Sequence, residues 1–176
     1  MQRKNIPIEA LTLKVHDFWS EHWILLTAGD YSARKFNTMA VGWGSLGVMW
    51  GKPFVQVVVR PVRHTHEFIS GYETFTVCAF PDACRDAVQL LGSKSGRDGD
   101  KIAESGLTPM ASAIVAAPGF AEAELIIECR KIYRSIIDPR GFLDQDIDRH
   151  YPLKDYHGVF FGEVLAVSGV ESFISP

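Results

Sequence analysis

The sequence predicts a mainly β protein with short helices, folded as an antiparallel barrel or sandwich, and three observations carry that prediction. Runs of β-branched and aromatic residues bounded by Gly, Pro, Asp and Asn recur along the chain. The helical stretches between them are too short to cover a parallel sheet, and no internal repeat or linker divides the sequence. With 176 residues, 47% of them hydrophobic and 22% charged, the chain has the balance of one globular domain, expected to span residues 1–176.

In chain order the expected strands are HWILLTAG (22–29), FNTMAVGW (36–43), KPFVQVVVRP (52–61), TFTVCAF (74–80), AEAELIIECRKIYR (121–134) and HGVFFGEVLAVSGV (157–170). The fifth has the clearest alternation. Ala123, Leu125, Ile127, Cys129 and Tyr133 share one face, expected in the core, and Glu122, Glu124, Glu128, Arg130 and Arg134 share the other, expected in solvent. Short helices are expected over His66–Ser70 behind Thr65, over Cys84–Leu91 ended by Gly92, and over Lys101–Ser105 ended by Gly106. Residues 138–155 form one long polar stretch, a lid or a solvated excursion. Its Asp144, Asp146 and Asp148 mimic the start of a calcium loop. The mimicry fails where Arg149 and Asp155 stand in place of the required Gly and Glu.

Several function classes are disfavoured at once. A net charge of −3 supplies no global field for nucleic acid or anionic lipid, so a basic site must be local. No apolar run approaches the ~20 residues of a membrane span, and MQRKNIPIEALTLK has no signal-peptide core, so a cytoplasmic location and no membrane partner are expected. Cys78, Cys84 and Cys129 lack C-x-x-C spacing, which points to reduced thiols, with no disulfide framework or zinc knot. GWGSLG (42–47) spells G-x-G-x-x-G, but VMWGKPF follows it, and Gly51 and Pro53 break the helix a dinucleotide fold requires. Glycines on such a strand instead mark a bulge, a barrel corner or the close approach of a flat group.

The informative stretch is VRPVRHTHEF (59–68), where an apolar strand ends at Arg60 and Pro61 and the chain packs two arginines and two histidines around that proline. Guanidinium groups are rarely buried without an anionic partner. Arg60 and Arg63 beside a short helix capped by Thr65 would make a phosphate cradle. GSKSGRDGDK (92–101) adds Lys94, Ser95 and Arg97 on an open backbone without P-loop spacing, which suits one monophosphate held between two loops. The bland alternative is a solvated basic surface. His64 and His66 have the spacing of a metal pair but no nearby third ligand, so no metal site is expected.

The runs FNTMAVGWGSLGVMWGKPFVQVVVRPVRHTHEFI, TFTVCAF, LLGSKSGRDGDK, ECRKIY and YPLKDYHGVFFGEV, in this order between about Trp23 and Val164, resemble the flavin reductase-like family, and most closely its flavoredoxin-type members. The resemblance implies an antiparallel split β-barrel of FMN-binding type, a homodimer with FMN held non-covalently at its interface. It implies a flavin ring against the backbone of Asn37, Thr38, Met39 and Ala40, and a phosphate near Arg60, Arg63, Thr65, Lys94, Ser95 and Gly96. Negative charge developing at the ring's N1 and O2 makes the Thr38 hydroxyl the first-choice tuning residue. Trp43, Trp50, His150, Tyr151 and His157 are candidates for the open face where a donor or acceptor docks.

The implied activity is FMN-dependent oxidoreduction, with electrons from NAD(P)H or a redox protein. An FMN-holding carrier without its own substrate is the alternative. A barrel-type nucleic-acid module using RPVRHTH and a haem-binding split barrel are weaker readings.

Overall fold

The structure is a computed structural model that describes residues 2–175. Ten strands and four α-helices follow in chain order. They are β1 (Lys4–Asn5), α1 (Val15–Ser20), β2 (Trp23–Asp30), β3 (Lys35–Ala40), β4 (Gly44–Met49), β5 (Lys52–Val59), α2 (His64–Gly71), β6 (Thr74–Phe80), α3 (Arg85–Ser93), α4 (Lys101–Ser105), β7 (Pro109–Met110), β8 (Gly119–Phe120), β9 (Leu125–Ile136) and β10 (Gly158–Gly169). Among the described residues no helix is long and apolar enough to cross a membrane.

One antiparallel sheet carries the fold, in the order β3-β2-β6-β9-β10-β5-β4, with β1 added to β10. β3 and β4 are consecutive in the chain yet stand at opposite ends of this order and do not pair. The sheet is therefore a barrel left open between them. Trp19 of α1 sits in the interval. A Cβ on Gly44 would overlap its indole ring, and one on Gly42 would lie 3.3 Å from its carbonyl oxygen. Here the glycines of GWGSLG admit a flat group, and the group is the protein's own tryptophan.

Alternation along the strands fills two cores. Leu26, Val77 and Ile127 point inward with Phe75, Val57 and Phe160, while Leu25, Cys78 and Ile126 on the same strands meet Val88 and Leu91 of α3 and Phe120 of β8. Strands buried on both faces read as unbroken apolar runs, as WILLTAG and TFTVCAF do. Each fully buried Leu, Val or Phe side chain contributes about 1.5–3 kcal/mol of transfer free energy.

The expected solvent face of the fifth run is corrected on this point. Ile126 is buried in the second core, and the Glu128 carboxylate is 4% exposed. Its charge is held by the backbone N–H groups of Ala113, Ile114 and Val115, at 2.8, 2.7 and 3.1 Å. Tyr133 is exposed instead of buried, because the register slips between the Gly162–Lys131 and Phe161–Tyr133 pairs and Ile132 is left as an extra bulge residue.

The expected helices appear, the first two with shifted ends and the third, Lys101–Ser105, with the expected ones. α2 begins at His64, α3 runs from Arg85 through Gly92 to Ser93, and α4 ends at Gly106 with φ 73°, the left-handed stop that glycine allows. β5 falls on the expected strand 52–61, whereas β4, its hairpin partner, falls within the stretch read only as glycine punctuation. The two-residue loop between them puts Trp50 at φ 55° and Gly51 at φ 70°, both positive as the strand twist requires.

Replacing Glu128 with Ala leaves three backbone donors without their acceptor, and urea unfolding is expected to show a loss of about 2–4 kcal/mol. A loss under about 1 kcal/mol would contradict the holding role of this carboxylate.

Candidate cofactor cleft at the barrel split

The site is assembled where the open edge of β3 meets the start of α2 and the loop after α3. Asn37 and Met39 project from β3 into a cleft of about 430 Å³, lined also by Arg60, Arg63, Thr65, Lys94, Ser95 and Gly96. Met39, Arg60 and Arg63 continue into a second cavity of about 200 Å³ bounded by Ala40, Val41, Gly42, Trp43 and His157. Residues singled out from three separated segments therefore meet along one groove. The Val41 N–H donates to Ile24 O at 3.1 Å, and antiparallel alternation then turns the backbone polar groups of Thr38 and Ala40 away from β2, towards the split.

Two expectations about threonines are corrected. Thr38 is fully buried; its hydroxyl donates to Leu26 O at 3.0 Å and accepts from Thr27 Oγ1 at 2.8 Å, so it is spent within the sheet, on the face opposite Leu26 and Met39, and is not offered to the groove. Thr65 does not cap α2, whose N-cap position is Arg63. Its hydroxyl accepts from Asn37 Nδ2 at 2.8 Å, and this buried pair ties α2 to β3. The far end of α2 is fixed as well: Lys131 Nζ donates to the carbonyls of Ile69, Ser70 and Tyr72 at 2.5, 3.0 and 2.8 Å. Cation on carbonyl is the favourable sense at a helix C-terminus.

The cations around the groove divide into two kinds. Arg60 pairs with Asp155 at 3.1 Å, Lys94 with Glu104 at 2.6 Å, and Arg97 with Glu67. Arg63 and Lys101 bond only to carbonyl oxygens at the end of α3, those of Gly92 (3.1 Å) and Leu91 (2.7 Å). Lys101 is 3% exposed, and burial, with Arg63 nearby, brings its ammonium down to about 8. Sequence reasoning stopped at Lys94, Ser95 and Gly96 and missed Lys101; the Asp100 side chain accepting the Ala103 N–H at the start of α4 was the available signal that Lys101 is held in place. The backbone passes Asn37 and His64 closely at Gly96: a Cβ there would overlap Asn37 Oδ1 and lie 2.9 Å from His64 Nδ1. That nitrogen is buried with no hydrogen-bond partner.

Four of the five open-face candidates do gather. Trp43 lies 5.6 Å from the His150 ring and 5.2 Å from His157, and Tyr151 Oη is 2.8 Å from His157 Nδ1. Trp50 does not join them. It sits on the outer face of the sheet against Tyr133 and Phe161.

The result is an open antiparallel barrel with a cation-lined groove along its unpaired edge. The sequence profile described as Flavin reductase like domain matches residues 20–174, so the chain belongs to that family. Among curated proteins none matches. Among solved structures, the FMN-binding domain of a flavin reductases-like enzyme from Shewanella baltica OS155 is similar at TM-score 0.68 and 19% identity, over 96% of this chain and 77% of that one. Flavoredoxin of Desulfovibrio vulgaris (Miyazaki F) is similar at TM-score 0.65 and 24% identity, over 92% and 75%. A split barrel domain protein from Shewanella frigidimarina NCIMB 400 is similar at 0.66 and 17%, over 84% and 66%. These likenesses bear out the antiparallel split barrel.

Burial, and then Arg60, hold the His157 imidazole down at about 4, so it is neutral in the folded protein at pH 7. As pH falls from the ordinary value near 6.5 towards 4, the unfolded chain takes up a proton that the native state refuses, and stability is lost by up to about 1.4 kcal/mol per pH unit. Urea unfolding at pH 7 and pH 5 is expected to show a smaller difference for His157→Gln than for the wild type; an equal difference would show that His157 does not titrate as its burial dictates.

Proposed function

We propose that the protein is an FMN-dependent oxidoreductase that holds the flavin in the groove along β3. The observation that carries this reading is the pair Arg63 and Lys101, two cations at the cleft without a carboxylate partner. A buried ammonium calls for an anion close by. The remaining residues fit a flavin monophosphate. His64 Nδ1 and the uncapped start of α2 offer donors, Gly96 keeps the backbone low enough for a phosphate to approach, and Ser95 adds a hydroxyl. Lys94 stays beside the same loop, paired with Glu104.

The ring end would lie along Met39 and Ala40, with Asn37 fixed by Thr65 and the Trp43–His157 wall excluding water on one side. Bound flavin supplies the hydride and electron chemistry, and the chain supplies binding, orientation and hydrogen bonds. In this reading electrons come from NAD(P)H or a redox protein. Flavoredoxin similarity favours the second reading, an electron carrier without a substrate of its own. The single domain over 1–176 would work as a homodimer. Trp50 and Tyr133, exposed on the outer face of the sheet, are the apolar surface a second copy would cover.

Reconstitution with FMN is expected to give an absorption band at about 450 nm, and its absence with excess FMN would end the proposal. Bleaching of that band by NADH or NADPH in stopped flow supports the oxidoreductase; no bleaching by either supports the carrier. A phosphate anion favours the charged form of Lys101, so FMN affinity is expected to hold below about pH 8 and to fall above it. Riboflavin affinity is expected to stay flat, and Lys101→Met to abolish the FMN trend.

A further inference from the structure

Resting on the flavin reading, the structure assigns Arg60 a role different from that of Arg63: we propose that Arg60 is a positioning residue that clamps residues 150–157 against the ring end of the cleft, and does not bind the phosphate. Both terminal nitrogens of the Arg60 guanidinium are engaged within the protein. Nη1 donates to both oxygens of Asp155, at 3.3 and 3.1 Å, and Nη2 donates to the His150 carbonyl at 2.6 Å. Its carbon also lies 5.3 Å from the centre of the Tyr151 ring, within cation–π range.

Asp155 decides the matter. Its side chain is only 8% exposed, and a phosphate drawing Arg60 away would leave a nearly buried carboxylate unpaired, which is strongly unfavourable. Arg63 faces no such conflict, since its guanidinium bonds only to Gly92 O.

The clamp reaches the cleft through aromatic contacts. Tyr151, held under Arg60, bonds His157 through its hydroxyl, and Trp43 lies against both His157 and His150. Trp43 and His157 line the cavity that continues the cleft along Met39 and Ala40. Residues 150–157 are also held from the other side: Tyr151 is buried and stacked against Phe142, the Ile137 N–H donates to His157 O at 3.0 Å, and Tyr156 and Lys154 bond Asp148. The tip is looser, with Lys154 at the left-handed φ of 55° and Leu153 80% exposed. Without Arg60, Asp155 loses its salt bridge to the residue that follows β5.

The test compares binding of FMN and riboflavin to wild type, Arg60→Ala, Arg60→Lys, Asp155→Asn and Arg63→Ala, followed by quenching of flavin fluorescence. Arg60→Ala and Asp155→Asn are expected to weaken FMN and riboflavin alike, by about tenfold, so that the preference for FMN over riboflavin stays within about twofold of wild type. Arg60→Lys keeps the charge towards Asp155 and is expected to recover part of the loss. Arg63→Ala is expected to weaken FMN alone.

A fall in FMN affinity with riboflavin unchanged in Arg60→Ala would overturn the proposal, as would unchanged binding of both. A cofactor-free arm uses trypsin on the apoprotein. Cleavage after Arg149 and Lys154 is expected to be faster in Arg60→Ala and Asp155→Asn than in wild type, and an unchanged rate counts against the clamp. If wild type binds neither flavin, the flavin reading fails, and the trypsin arm still decides whether Arg60 holds this segment.

Discussion

The structure depends on one constraint: β3 and β4 do not pair. Had they met, the sheet would close and bury its last edge. Trp19 stands between them instead, against Gly44 and Gly42, and keeps the interval open. An unpaired strand edge is ordinarily a liability that proteins cover. Here α3 lies over the outer core face and the loop after it passes the start of α2, so the edge becomes the floor of a groove.

Electrostatics then sort the side chains on that groove. Basic residues there are numerous, but a carboxylate neutralises most of them, and what matters is which are left. Arg60, Lys94 and Arg97 each have an acidic partner; Arg63 and Lys101 have carbonyl oxygens only. Carbonyls at a helix end attract a cation weakly compared with a phosphate dianion. The same logic divides the two arginines of VRPVRHTHEF. They are three residues apart on opposite sides of a turn, one facing Asp155 and the other the end of α3.

Much of this was legible in the sequence for local reasons. Six strand runs, the stop of α4 at Gly106 and the refusal of a dinucleotide helix after GWGSLG all follow from propensity and backbone chemistry within a few residues. The segments that meet at the cleft were legible too, through the resemblance to a family. What could not be read depends on neighbours distant in sequence. The burial of Glu128 needs the 113–115 backbone, and the engagement of the Thr38 hydroxyl needs Thr27 opposite it. The capture of Thr65 by Asn37 and of Arg60 by Asp155 are contacts across 28 and 95 residues. Alternation and capping rules see none of these.

An isoalloxazine phosphate is proposed to bind in the groove beside β3, and amide chemical shifts observed during an FMN titration read that location residue by residue. The largest changes are expected on residues 37–43 and 92–97. A separate groove of about 760 Å³, away from β3, is lined by His66, Arg134 and Arg140. Changes confined to that groove, with 37–43 and 92–97 unmoved, would contradict binding beside β3.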